Sequence, residues 1–191
     1  EPMTVSRETL IERYFPDSIK EIQAYAHFLE TAGIERGLIG PREAERIWER
    51  HIFNCLPVTS LITPNATLFD IGSGAGLPGI VIALARRDLK VTLIEPLQRR
   101  VDFLNEAVDG LGIEVVRGQA QSVKKQADFV TARAVAPLEK LKKISWHLIK
   151  NGGSLLAMKG ENAAAEMEGV AGAMLHEISL PDLDLGRIVE V

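Results

Sequence analysis

The chain has 191 residues, 46% hydrophobic and 25% charged, which is typical of one globular domain and excludes a disordered, collagen-like or coiled-coil protein. The formal net charge of −4 is unevenly distributed. Residues 1–39 carry seven acidic and four basic side chains, and residues 160–191 carry seven acidic and one basic. Residues 40–159 carry 12 acidic and 17 basic side chains. The positive central segment therefore suits an anionic partner such as RNA, although the net charge of the whole chain does not.

Two helices are predicted in the N-terminal third. The first has Ile19, Ile22, Ala26 and Leu29 on one face, and residues 33–41 break the helical pattern. The second has an apolar stripe of Ala44, Ile47, Trp48, Ile52 and Cys55, and its opposite side carries Arg42, Arg46, Arg50 and Phe53. His51 lies on the core-facing stripe, so we expect a structural histidine there.

Arg46, Arg50 and Phe53 are candidate RNA contacts in the second helix. Arginines neutralise phosphates, and an aromatic ring on the same side stacks on a base. The alternative is a solvated helix face, because Glu45 and Glu49 lie within one turn of these arginines and Phe53 could pack on the first helix.

Cys55 is the single cysteine, which favours a reducing, cytoplasmic setting, and its place on the apolar stripe favours a core thiol over a nucleophile. The four histidines are far apart in sequence and form no metal-ligand spacing with Cys55, so no metal is expected. The apolar runs are too short for a membrane span, and the first residues lack the basic head of a signal peptide. We therefore expect no membrane partner.

From residue 67 onward, β-type runs alternate with helical stretches. The runs cover residues 67–71, 91–95, 113–117, 129–132 and 154–159, and helices are predicted after Pro78, Leu97, Pro137 and Glu161. This alternation predicts an α/β fold with a doubly wound, mostly parallel sheet, in which ligands bind at the carboxyl ends of the strands. We divide the chain into an N-terminal helical cap, residues 1–62, and a core, residues 63–191, within one globule.

A glycine-rich turn over residues 69–79 (FDIGSGAGLPG) follows the first strand. Gly74, Gly76 and Gly79 satisfy G-x-G-x-x-G, which raises the possibility of a dinucleotide-binding dehydrogenase. Asp70 argues against it, because a carboxylate there repels a pyrophosphate but suits a ligand with an ammonium group and no phosphate, such as S-adenosylmethionine. Glu95, at the end of the next strand, is placed to accept hydrogen bonds from ribose hydroxyls. The alternatives are a tight structural turn and a solvated carboxylate.

These motifs resemble a known family, the bacterial small-subunit ribosomal RNA guanine-N7 methyltransferases, also called glucose-inhibited division protein B. The resemblance rests on residues 50–55 (RHIFNC), 70–79 (DIGSGAGLPG), 93–96 (LIEP) with Arg99 and Arg100, 131–137 (TARAVAP) and 157–160 (AMKG). The chain departs from the family at Gln119-Ala120-Gln121, where Arg-x-Glu is usual, and at Asn54-Cys55, where Asp-Ser is more common.

The resemblance implies a fold of the class I S-adenosylmethionine-dependent methyltransferase type and S-adenosylmethionine as the cofactor. The implied partner is 16S ribosomal RNA or the small ribosomal subunit, and we expect a monomer. The cofactor contacts expected from the motifs and the resemblance together are Asp70, Gly72, Gly74, Gly76, Leu77, Glu95, Arg133 and the backbone of Ala120 and Gln121.

Methylation at guanine N7 fits the residues at the end of the fourth strand. The N7 lone pair is free at neutral pH, so no general base is needed, and residues 131–134 (TARA) lack the Asn/Asp-Pro-Pro-aromatic motif of exocyclic-amine methyltransferases. Arg133 is the strongest positioning candidate. Because the methylated base gains positive charge, an arginine against the base would oppose the reaction, so its expected partner is a methionine carboxylate or an RNA phosphate. Lys159, at the end of the fifth strand, is a weaker candidate for RNA phosphate.

Two other functions stay open at this point. One is a small-molecule methyltransferase with the same cofactor domain, and the other is a noncatalytic, cofactor-binding RNA chaperone. The positive central segment and the helical cap favour the RNA enzyme, because a small-molecule enzyme usually needs an insertion that encloses its substrate, and no insertion interrupts the β-α series.

Overall fold

A computed structural model describes residues 5–133 and 136–191. Ala134 and Val135 of the 131–137 motif, and the first four residues of the proposed cap, therefore lie outside the described residues. Within them the strands are β1 (Thr67–Ile71), β2 (Lys90–Glu95), β3 (Glu114–Arg117), β4 (Ala127–Arg133), β5 (Ile149–Lys159), β6 (Met174–Ile178) and β7 (Gly186–Glu190). They form one sheet in the order β3-β2-β1-β4-β5-β7-β6.

The sheet confirms the predicted fold class. Strands β1 to β5 pair in parallel, and each coincides with a predicted run to within a few residues. Strand β7 is antiparallel to both β5 and β6, and neither β6 nor β7 was predicted. Both strands lie at one side of the sheet and are largely half-exposed, so they lack the buried apolar run that marks β1 and β2.

The helices follow the predicted alternation. They are α1 (Arg7–Tyr14), α2 (Ile19–Phe28), α3 (Gly79–Ala85), α4 (Gln98–Ala107), α5 (Leu138–Ser145) and α6 (Ala163–Glu166). One hydrophobic cluster joins α1, α2 and residues 39–62 to α3, α4 and one face of the sheet. A second cluster joins α5 and α6 to the other face. In the part of the chain that the structure describes, no helix has the length and apolar character needed to cross a membrane.

The predicted second helix is not a regular α-helix. Tight 3₁₀ turns cover Pro41–Arg46, Phe53–Cys55 and Pro57–Leu61, and a wide π-helical turn covers Ile47–Ile52. Because a 3₁₀ helix repeats every three residues, Arg42 and Arg46 are about a third of a turn apart. The single arginine face expected from α-helical spacing is therefore wrong, although Ile47, Trp48, Ile52 and Cys55 of the apolar stripe are buried.

Candidate functional site

The site lies where the strand order reverses, between β1 and β4. Asp70 on β1 is in register with Thr131 on β4, and the helices that follow the two strands lie against different hydrophobic clusters. In doubly wound sheets this switch point opens a crevice at the carboxyl ends of the strands. The glycine turn after β1 and Arg133 at the end of β4 meet there.

The Asp70 carboxylate forms hydrogen bonds that join the glycine turn to β4. Its Oδ1 accepts a hydrogen bond from the Thr131 hydroxyl (2.9 Å), and its Oδ2 accepts one from the Gly79 backbone N–H (3.1 Å). The side chain is fully buried, and burial raises the pKa of this carboxyl to about 6 although those donors and Arg133 lower it. Asp70 is not among the residues that line the cavity above this turn, and its contact with a ligand stays a prediction.

Glu95 joins the end of β2 to the same turn. Its Oε1 accepts from the Gly74 N–H (3.0 Å), and its Oε2 accepts from the Leu97 N–H (2.8 Å). The residue is 1% exposed, and Arg100 Nη1 lies 3.8 Å from Oε1. Because a carboxylate offers about four acceptor positions, two are not used by these backbone donors, although Glu95 is not among the residues that line the cavity above the turn.

Two glycines of the turn differ in what surrounds them. A Cβ built on Gly74, whose φ is +56°, would meet no atom closer than 3.9 Å, so the space beside it is open to a ligand. A Cβ on Gly76 would clash with Ile80 Cδ1 and would lie 2.9 Å from the Tyr25 hydroxyl oxygen. Gly76, predicted as a cofactor contact, is thus required for packing within the protein.

Tyr25 on α2 was not predicted as a site residue. Its buried hydroxyl donates a hydrogen bond to the Ala75 carbonyl (2.6 Å), and burial raises the pKa of the phenol well above its usual value. The helical cap therefore holds the glycine turn directly. Tyr25 lies next to the apolar stripe of the first predicted helix, and nothing local in the sequence indicates a partner fifty residues away.

A cavity of about 430 Å3, called here the glycine-loop cavity, opens above this turn. Its walls are Leu38, Ile39, Gly40, Glu43, His51, Gly72, Ser73, Gly74, Ala75, Leu77, Arg100 and Arg133. Gly72, Gly74 and Leu77, predicted as cofactor contacts, are on this wall, and the contacts themselves stay predictions. The Nε atom of Arg100 is buried and has no hydrogen-bond partner among the described residues, so this wall offers an unused donor.

A second cavity of about 590 Å3, called here the strand-end cavity, lies on the other side of Arg133. It is lined by Arg50, Asn54, Arg133, Met158, Lys159, Gly160, Glu161, Glu166, Asp184, Leu185, Gly186, Arg187 and Ile188. Arg133 is half-buried and lines both cavities. It is a lining residue that the two cavities share, and its predicted role between cofactor and substrate stays a prediction.

The side chain of Arg133 contacts His51. Its Nη1 lies 3.4 Å from His51 Nδ1, and His51 Nε2 lies 2.9 Å from Glu43 Oε2. The expectation of a histidine on the core-facing stripe is wrong, because the π-helical turn places His51 at the wall of the glycine-loop cavity. π-Helical turns are rare in proteins, and those that occur are often at functional sites.

The RNA-contact candidates separate in the structure. Arg50 is exposed and lines the strand-end cavity, whereas Arg46 is exposed but lines neither cavity. Phe53 is only 4% exposed and packs 5.6 Å from the Trp48 ring, measured between centroids, so the stacking prediction is corrected in favour of core packing. Lys159 also lines the strand-end cavity, but its side chain is 9% exposed and its ammonium lies 3.1 Å from both Glu166 Oε1 and the Ala136 carbonyl. Its contact with RNA phosphate stays a prediction.

Ala120 and Gln121 begin a 3₁₀ turn after β3, at the same sheet edge as Glu95. Ala120 is buried and Gln121 exposed. The His147 Nε2 atom lies 3.1 Å from the carbonyl oxygens of both Ala120 and Val123. This contact was not predicted from the sequence.

Cys55 is fully buried, and burial raises the pKa of its thiol to about 12. The prediction of a core thiol is confirmed, and a thiolate nucleophile is excluded at neutral pH.

Comparisons with known proteins agree with this geometry. The family model of rRNA small subunit methyltransferase G matches residues 18–179. The ribosomal RNA small subunit methyltransferase G of Thermobifida fusca (strain YX) is 50% identical over 184 residues, which cover 93% of this chain and 75% of that protein.

Solved structures show the same fold at low identity. A TehB-like SAM-dependent methyltransferase from Corynebacterium glutamicum has a TM-score of 0.56 at 12% identity, covering 87% of this chain and 98% of that one. A mutant of MtNAS in complex with S-adenosylmethionine has a TM-score of 0.57 at 14% identity, covering 96% and 76%. The fold is thus that of class I methyltransferases, and from the sequence matches the chain belongs to the family of rRNA small subunit methyltransferase G.

Proposed function

We propose that this chain transfers a methyl group from S-adenosylmethionine to N7 of a specific guanine in 16S ribosomal RNA of the small subunit. The family membership supports the reaction class. The observation that carries the proposal is the position of Arg133, which lines both the glycine-loop cavity and the strand-end cavity. A donor ligand in one cavity and an acceptor base in the other would meet beside this residue.

The glycine-loop cavity fits an adenosyl ligand that carries an amino acid. The open space beside Gly74 lets a ligand approach the backbone, and the remaining acceptor positions of Glu95 suit ribose hydroxyls. The unpaired Arg100 Nε needs an acceptor, which a ligand oxygen supplies. The fully buried Asp70 adds negative potential under the turn, which opposes a pyrophosphate and favours an ammonium group.

When bound, S-adenosylmethionine supplies a methyl group whose bond to sulfur breaks, with its electron pair left on sulfur, as the guanine N7 lone pair forms the new bond. Arg133 holds an anionic group, either the amino-acid carboxylate or an RNA phosphate, and thereby fixes the distance between donor and acceptor. The protein need not remove a proton, since N7 carries none. Positioning and the exclusion of water are then what the cavities contribute.

The strand-end cavity suits an RNA nucleotide. Arg50 and Arg187 on its wall provide cations for phosphate, while Met158 and Leu185 provide apolar surface for a base. Leu185 is 40% exposed, so part of its side chain is accessible to a stacked ring.

The test is incubation of the protein with labelled S-adenosylmethionine and one of three acceptors: small-subunit particles, naked 16S RNA or large-subunit particles as the matched control. Nuclease digestion and chromatography identify the product base, and chain scission at 7-methylguanosine maps it. We expect 7-methylguanosine in 16S RNA alone. Methylation of another atom, or cofactor binding with no transfer to either small-subunit acceptor, would overturn the proposal.

A further inference from the structure

We infer that His51 and Glu43 are positioning residues for Arg133: Glu43 fixes the imidazole in the tautomer whose Nδ1 accepts a hydrogen bond from the guanidinium. This inference rests on the proposed function for its kinetic consequence. Its structural content, the tautomer and the contact, stands independently of the reaction.

The protonation pattern follows from donor and acceptor chemistry. A guanidinium only donates, so His51 Nδ1, 3.4 Å from Arg133 Nη1, must present its lone pair. A carboxylate only accepts, so His51 Nε2, 2.9 Å from Glu43 Oε2, must carry the hydrogen. The hydrogen bond from His51 lowers the pKa of the Glu43 carboxyl, which keeps this acceptor ionised. One tautomer of neutral imidazole satisfies both contacts.

A neutral acceptor holds a cation without neutralising it. Among residues 5–133 and 136–191, Arg133 takes part in no ion pair within 4.0 Å. A carboxylate partner in place of His51 would compete with the anionic ligand for the guanidinium. The Glu43–His51 pair therefore orients Arg133 while its positive charge stays available to the ligand.

The location of the Glu43–His51 pair indicates a positioning role and not a role in the stability of the fold. The His51 and Glu43 side chains are 19% and 31% exposed, and both line the glycine-loop cavity. Because both side chains border this cavity and neither is fully buried, removing the imidazole enlarges an existing cavity and opens no new void in the core. A loss of activity without a loss of stability is then the expected signature.

The kinetic experiment is a double-mutant cycle with methyl transfer to small-subunit particles as the readout. We expect His51→Ala to lower kcat about tenfold with an unchanged melting temperature, the effect of losing one hydrogen bond to a charged group. His51→Asn, whose amide oxygen occupies the region of Nδ1, should stay within about threefold of wild type. In an Arg133→Ala background, His51→Ala should cause no further loss, because its partner is already absent.

The tautomer is measured separately by 15N NMR of the histidine rings, which needs neither cofactor nor RNA. We expect a bare Nδ1 and a protonated Nε2 for His51, and a mixture of tautomers in Glu43→Ala. A protonated Nδ1, full activity in His51→Ala, or additive losses in the double mutant would overturn the inference. If wild type methylates no RNA but shows the expected tautomer, the proposed function fails while the contact stands.

Discussion

The backbone N–H of Gly74 donates a 3.0 Å hydrogen bond to Glu95 Oε1, so the two features that the sequence assigned separately to a ligand are bound to each other. The acid of β2 thus fixes the open glycine of the turn while keeping acceptor positions of its own. This hydrogen bond fixes the backbone of Gly74, which lines the glycine-loop cavity, to the end of β2.

We predict that the chain binds S-adenosylmethionine and S-adenosylhomocysteine but not NAD, whose pyrophosphate is opposed by Asp70. Glu95→Gln should weaken S-adenosylhomocysteine binding about tenfold or more, because one amide oxygen cannot serve both the backbone donors and the ribose. Calorimetry measures both, with the exposed Glu168→Gln as a control that should leave affinity unchanged. Micromolar NAD binding without S-adenosylhomocysteine binding would contradict this assignment.

Gly74→Ala and Gly76→Ala form a matched pair, since both positions have positive φ. The left-handed backbone conformation lowers the free energy of unfolding of each alanine variant by about 1–2 kcal/mol. Gly76→Ala should lose about 1–3 kcal/mol more, because its Cβ meets Ile80 and Tyr25. Gly74→Ala should instead lose cofactor affinity.

Gly110→Ala is the control for strain alone, as its φ is +75° and no atom lies within 4 Å of the built Cβ. Chemical denaturation and calorimetry on the three variants give the comparison. Equal stability losses at Gly74 and Gly76, with equal affinities, would show that the open space beside Gly74 has no role in binding.

The raised pKa of Asp70 gives a pH prediction. Its unfolded value is about 4 and its folded value about 6, so between these pH values the folded state holds a proton that the unfolded state has lost. The contribution of Asp70 to the free energy of unfolding is therefore largest below pH 4 and falls as pH rises through about 6. Carbon-13 NMR of the carboxyl gives the midpoint. A midpoint near 4, or the same pH dependence of stability in Asp70→Asn, would refute the assignment.

Most of the sheet could be predicted from the sequence because glycine, proline and segments with helical periodicity separate strands β1 to β5. Strands β6 and β7 could not, since charged residues such as Glu177 and Arg187 interrupt short, half-exposed runs. The segment over residues 41–61 was misassigned for another reason. An α-helical stripe was recognisable, but the backbone forms 3₁₀ and π turns, for which residue propensity carries no signal.

The site was predictable where a motif specifies local backbone and unpredictable where it depends on distant partners. Gly72, Gly74, Leu77 and Arg133, which local motifs indicated, all line the glycine-loop cavity. Contacts such as Tyr25 with Ala75 join positions far apart in sequence, and nothing in either residue's neighbourhood indicates them. Asp70 shows the converse: its strand-end position was right, but its carboxylate is used by the protein itself.

Charge reversal distinguishes the two arginines proposed to contact RNA. Arg50→Glu should weaken binding to small-subunit particles and reduce its dependence on salt, because Arg50 lines the strand-end cavity. Arg46→Glu, which is exposed outside both cavities, is the matched control and should have a smaller effect. Filter binding at several salt concentrations measures both. Equal effects would indicate general electrostatic attraction, and no effect in either variant would remove this segment from the RNA interface.

Arg133→Ala should lower methyl transfer to guanine N7 by at least about tenfold, since one charge-assisted hydrogen bond contributes roughly 1.5–3 kcal/mol. Stability should change little, because Arg133 is half-buried between two cavities and forms its described side-chain contact with His51 rather than with the core. Arg133→Lys should restore activity only in part, as a single ammonium cannot make the two parallel bonds that a guanidinium makes to a carboxylate or phosphate.

The measurements are initial rates on small-subunit particles, S-adenosylhomocysteine affinity and melting temperature, each compared with the control Arg46→Ala. A rate loss accompanied by weaker S-adenosylhomocysteine binding would identify the amino-acid carboxylate as the anion that Arg133 holds, because that group belongs to the cofactor. A rate loss with unchanged cofactor affinity and a raised KM for particles would identify an RNA phosphate. Normal activity in Arg133→Ala, or a rate loss matched by a fall in melting temperature, would show that Arg133 is structural.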